Sequence, residues 1–153
     1  MGDPERISRD DWETILHAPF QVYSLVAAAD GEATEAQFRR LSEEIVMARG
    51  HFSDGTIGFT MAETLAANLD PFWAAYQASG RSPKDVLKRV KKALRKAPDG
   101  EAIAIRDWLL ALAVRIGDAR RGMGVDVISS NEAIAIRDLA GWLDRPVPAV
   151  PEG

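Results

Sequence analysis

Cysteine is absent from the 153 residues. That excludes a disulfide scaffold, a thiolate zinc site and a cysteine nucleophile. Histidine is scarce: His17 and His51 are the only ones, so a three-histidine metal site is excluded too. No apolar run approaches the ~20 residues that span a bilayer, and Met1–Asp11 has no apolar core of a secretory signal. The P-loop, the dinucleotide-binding glycine fingerprint, the nucleophile elbow and the His-Glu-x-x-His pattern are all missing. Gly122-Met-Gly124 is too little to cradle a phosphate.

The residues that are present make an ordinary globular mixture. Hydrophobic residues supply 46% and charged ones 27%, which argues against disorder. The length suits one domain, expected over residues 1–145. The tail 146–153 carries Pro146, Pro148 and Pro151 and should be extended and poorly ordered. A formal charge of −4 argues against a chain that binds nucleic acid over its whole surface.

Apolar spacing is helical almost throughout. Ser8 can cap a first helix carrying Trp12, Ile15 and Leu16. Pro19 should interrupt or restart it, and Phe20, Tyr23, Val26 and Ala27 continue its face to a stop at Gly31. Thr34 and Gln37 form a capping box for a second helix with Phe38, Leu41, Ile45 and Ala48, ended by Gly50. Residues 50–58 hold three glycines and read as a loop. Thr60 and Glu63 form a further capping box before the stripe Met61, Leu65, Leu69, Phe72, Trp73 and Tyr76. Asp70-Pro71 inside that stripe predicts two helices or one kinked helix.

Ser82-Pro83 is a cap followed by a first-turn proline, with Leu87, Val90 and Leu94 as the buried side. After the turn at residues 97–100, a helix with Ile105, Trp108, Leu109, Leu112 and Ile116 is expected. Residues 117–127 read as a loop, and Ser129 with Glu132 as a capping box for a last helix through Ile136, Leu139, Ala140 and Leu143. The class is all-α, a bundle of about six or seven helices. Met61, Trp73, Trp108 and Trp142 lie on apolar stripes and should pack in the core.

Glu-Ala-Ile-Ala-Ile-Arg-Asp occurs twice, at residues 101–107 and 132–138. Two copies whose following residues diverge do not make a solenoid. A second internal pattern is a helix, an acidic turn and a capped helix, once around Asp30–Thr34 and again around Asp126–Glu132. It predicts two pseudo-symmetric helix–hinge–helix halves.

The run from Val26 to Gln37, with Ala29-Asp30-Gly31-Glu32 and the Thr34 cap, resembles the TerB-like family of tellurite-resistance domains. Gln37 departs from that pattern, which usually has an acid there. In the second half Ser129 and Glu132 match, while Asp126 is out of register by one. The resemblance covers most of residues 12–143. It implies a compact all-helical module of a bacterial stress-response system, cytoplasmic or peripheral to the inner membrane, with no established reaction. It also implies an acidic cluster that has been taken as a metal site.

Two constellations carry chemistry. Asp30, Glu32, Glu35, Asp126 and Glu132 could converge on a divalent cation of the Ca or Mg type, as a binding site or as the centre of a metal-dependent activity, since hard cations need several oxygens. Helix capping explains the same residues. An EF-hand is excluded, because aligning Gly31, Gly55 or Gly100 with that loop's glycine puts Val26, Gly50 or Arg95 at the first ligand position.

The second is the helix from Ser82. Lys84, Lys88, Arg89, Lys91, Lys92, Arg95 and Lys96 stand against Asp85 alone, so the segment is +6 and the remainder −10. Lys84, Lys88, Lys91, Lys92 and Arg95 share one face. That face could be simple solvated surface or could dock an anionic partner. The partner expected is a protein with an acidic surface, or else a membrane surface. Nucleic acid fits less well, because no aromatics are interleaved with the cations. His17, just before Pro19, should lie at the surface or at a helix end, and His51 in its loop with Asp54 could meet a metal or act as a base. An apolar pocket between helices would mark a third reading, a small-ligand binder.

Overall fold

The Ser8 hydroxyl accepts from the Asp11 amide and opens α1 (Arg9–Ala27). The computed structural model describes residues 7–29, 31, 34–119 and 130–148. Over these the chain forms seven α-helices: α1, α2 (Glu35–His51), α3 (Ile57–Ala67), α4 (Leu69–Ser79), α5 (Pro83–Ala93), α6 (Asp99–Asp118) and α7 (Ser130–Leu143). A 3-10 turn, Leu94–Lys96, follows α5. No strand occurs among the described residues. The all-α expectation therefore holds.

The first helix is the hub. Every residue from Thr14 to Tyr23 is buried, because α1 packs against α5 and α6 and also meets α7, α2, α4 and α3. A helix surrounded on all sides has no outer face to keep polar. From Ile15 to Ala27 it carries no Asp, Glu, Lys or Arg. Two expectations fail here. Pro19 neither ends nor restarts the helix, which runs through it. The missing amide costs one backbone bond, and burial of Ile15, Phe20 and Val22 on either side holds the helix together. His17 is not at the surface or a helix end but mid-helix and only 3% exposed.

Downstream boundaries follow local chemistry. The Thr34–Gln37 capping box forms in both directions. Gly50 does not end α2, which continues to His51. The cap of α3 is Thr56 rather than Thr60, whose hydroxyl instead donates back to the Thr56 carbonyl from inside the helix. The loop before α3 is therefore shorter than the glycine spacing suggests, and Gly58 lies within the helix. A Cβ at Gly58 would collide with the Phe52 ring, so close packing explains this glycine. The Asp70-Pro71 stripe resolves into two helices separated at Asn68. Ser82 caps α5 with Pro83 in the first turn.

Met61 and Trp108 are core residues, and Trp73 and Trp142 pack against the core at its margin. The two seven-residue repeats lie near the starts of α6 and α7. Each buries its first Ala and its second Ile, Ala102 with Ile105 and Ala133 with Ile136. The first repeat also reaches the end of α7 and the residues just past it: Arg106 donates to the Leu143 carbonyl at 3.0 Å, and Arg145 forks onto Asp107 at 2.6 and 3.2 Å. Asp144, at φ 55°, supplies the left-handed residue that closes α7, with Asp144 N bonded to Gly141 O and Arg145 N to Ala140 O.

Candidate functional site

The charge split in the sequence becomes a split in space on α5. Val86, Leu87, Val90, Ala93 and Leu94 turn inward against α1 and α7. Lys84, Lys88, Arg89, Lys91, Lys92, Arg95 and Lys96 are all exposed. Asp85 sits in the first turn, where a carboxylate suits the positive end of the helix dipole, and Lys91 and Lys92 sit in the last turn, where cations do. The helix is thus locally stable in the orientation that sends its cations outward. Among the described residues only Lys91 of this group has an ion pair, with Asp144 at 3.9 Å. Such an exposed pair is worth little. Arg81, ahead of the cap, joins Arg89, Gly80, Ser82 and Asp85 around an open groove of about 430 Å³ at the start of α5. Arg81 lies outside the segment whose charges stood out in the sequence.

The acidic hinge is only partly visible. Asp30, Glu32 and Asp126 lie outside the described residues, as does the Ser129 cap. Gly31 adopts φ 111°, a conformation that favours glycine. Glu35 is 92% exposed at its side chain and faces Arg39 at 3.7 Å. Glu132 is fully buried and accepts from Gln37 Nε2 at 3.0 Å. Residues 35 and 37 are two apart on a helix, on opposite sides of the first turn. Glu35 therefore points away from Glu132. Among the described residues no group of three or more His, Asp or Glu is placed to hold a metal.

The Gln37–Glu132 contact has a chemical consequence. A carboxylate at position 37 would face Glu132 directly, and two such groups need a shared proton or a cation. The Gln37 amide donates instead, while its Oε1 accepts from the Thr34 amide at 3.0 Å. The beginnings of α2 and α7 are joined by this contact.

Other polar groups serve the fold. Glu101 accepts from the Ile57 amide at 2.7 Å and so caps α3 from α6. Glu44 is buried against Arg115 at 2.8 Å, with Arg40 at 3.9 Å. His51 is exposed at the end of α2, its ring edge-on to Phe52. It lines one surface cavity with Glu101 and Thr56, and another with Glu44, Trp108 and Arg115. No described helix is long and apolar enough to cross a membrane. No protein-family model, curated protein or solved structure matches the chain.

Proposed function

We propose that the chain is a TerB-like helical domain that acts without catalysis, as an interaction or scaffold module in a bacterial stress-response system of the tellurite-resistance kind. Its working surface is the outer face of α5, and its partner is a protein with an acidic surface. One observation carries this reading: five cations emerge from α5 and two more from the 3-10 turn that follows it, while the apolar side of the helix is fully engaged. Cations held on a rigid element raise the local concentration of an anionic partner and orient it, with an effect that salt screens over about 8 Å at physiological strength. A membrane surface fits less well, because the apolar residues of α5 point inward and leave nothing to insert into lipid.

The TerB-like part of the reading is supported by the left-handed Gly31, the Thr34 capping box and the hinge-to-hinge contact of Gln37 with Glu132. These are the features expected of two helix–hinge–helix halves that meet at their hinges.

The test is binding of the full chain to poly-glutamate and, separately, to vesicles of anionic phospholipid, over a range of salt concentrations. Lys88→Glu, Lys91→Glu and Lys92→Glu together should abolish salt-sensitive binding to poly-glutamate while the melting temperature stays near that of the parent. Undiminished binding by the triple variant would overturn the assignment of α5. Binding to vesicles alone would move the partner from protein to membrane.

A further inference from the structure

A polar seam runs between α1 and α4. His17, Gln21 and Ser24 lie along one side of α1, at spacings of four and three, against Tyr76. The Tyr76 hydroxyl donates to Gln21 Oε1 at 3.2 Å and shares a hydrogen with the Ser24 hydroxyl at 2.6 Å. His17 is left over. Its ring meets Tyr76 edge-on at 5.9 Å, and its buried Nδ1 has no hydrogen-bond partner, as is also true of Gln21 Nε2. Buried polar atoms in folded proteins are nearly always satisfied, so such an atom calls for an explanation.

A groove lies beside this side chain. His17 lines a groove of about 280 Å³ whose walls are Trp12 and Leu16 from α1 and Phe72 and Ala75 from α4. Trp12 and Phe72 are only half-buried and pack against the core from the walls of this groove, where aromatic rings can meet a ligand ring. Arg9 and Glu13 stand at the rim one turn apart, with opposite charges that offset each other. An uncharged imidazole can both donate and accept a hydrogen bond. Burial favours that uncharged form of His17. The groove therefore combines aromatic walls, a buried histidine with an unsatisfied nitrogen at its edge, and lining charges, Arg9 and Glu13, of opposite sign.

We propose that this groove binds a small, neutral aromatic molecule that carries one hydrogen-bonding group, with Trp12 and Phe72 stacking on the ring and His17 meeting the polar group. The site is separate from the cationic face of α5, and the inference does not rest on the function assigned to that face.

Phenol and toluene are the first probes, added to the isotopically labelled full chain and followed through the Trp12 indole N–H and the His17 ring resonances. Phenol should shift both saturably and bind about tenfold more tightly than toluene, the worth of one net hydrogen bond. Benzoate and benzylamine should bind more weakly than phenol. His17→Phe should bring phenol and toluene to equal affinity, an outcome that a merely structural role for His17 would not produce. Ala75→Phe alters an exposed residue of α4, and should abolish all binding with helicity and melting temperature preserved. The proposal fails if neither probe shifts Trp12 saturably at millimolar concentration, or if the shift persists in Ala75→Phe. Binding of benzoate or benzylamine as tight as that of phenol would refute the neutral class.

Discussion

The helices α1 and α5 pack against each other, yet they obey different rules. In α5 the helical period sorts residues into two sides, apolar inward and cationic outward. In α1 the period sorts nothing between Thr14 and Tyr23, because neighbours close in all round. Amphipathic spacing therefore informs about helices at the edge of a bundle and becomes silent about the helix at its centre. On α1 the polar residues are the informative ones. His17 and Gln21 are buried, so each needs an account that a surface residue would not.

The contrast can be broken from its buried end first. Phe20 is fully buried and packs against Trp73 and Tyr76 with ring centroids at 5.5 and 5.6 Å. Phe20→Ala should cost about 3–5 kcal/mol, read by chemical denaturation. Leu87→Ala on the inward side of α5 should cost about 2–5 kcal/mol, showing that the inner half of the outer helix behaves as the central one does. A Leu87 cost below about 1 kcal/mol would mean that α5 is only loosely docked.

His17 sharpens the contrast through pH. Its pKa is lowered chiefly by burial, further by Arg81, while Glu13 opposes the shift. In the folded protein the neutral ring is favoured, so the unfolded chain binds the proton more readily. The stabilisation is complete above the ordinary value of 6.5 and is lost as pH falls through the folded value. Melting temperature should decline on acidification from pH 7 toward 5, and His17→Phe should flatten that decline. An equally steep decline in the variant would place the titration elsewhere.

The smallest effect on stability belongs to the outer face of α5. Lys88→Glu with Lys91→Glu and Lys92→Glu should change stability by less than about 1 kcal/mol, since exposed charges contribute little to folding. Against Phe20→Ala, this pairs a helix that carries stability with a face that does not. A large loss in the triple variant would show that the cations support the fold.

This contrast also explains what was legible in the sequence. The orientation of α5 followed from Leu87, Val90 and Leu94, and its cap from Ser82-Pro83, because each signal is local. The depth of His17 and the continuity of α1 through Pro19 were not legible, because both depend on helices far along the chain. The seven-residue repeat shows the boundary within identical residues. Ala102 and Ala133, and Ile105 and Ile136, are buried alike because helical phase decides them. Glu101 caps α3 whereas Glu132 meets Gln37, and Arg106 reaches Leu143 whereas Arg137 is exposed. Those differences come from topology, which seven residues cannot encode. The α1/α4 groove escaped for the same reason: Trp12 and Phe72 each read only as members of an apolar helix stripe, and the groove arises from their juxtaposition.

The central position of α1 bears on synthesis as well as on stability. The apolar run from Ile15 to Ala27 leaves the ribosome before most of what will cover it, since α5 ends at Ala93 and α7 at Leu143. At about 5–20 residues per second, several seconds separate the exposure of α1 from the arrival of α5. During that interval the nascent chain offers a thirteen-residue stretch without Asp, Glu, Lys or Arg to whatever is nearby. The helix that ends as the most enclosed element of the bundle is thus, at birth, a stretch without covering neighbours and a natural target for a chaperone.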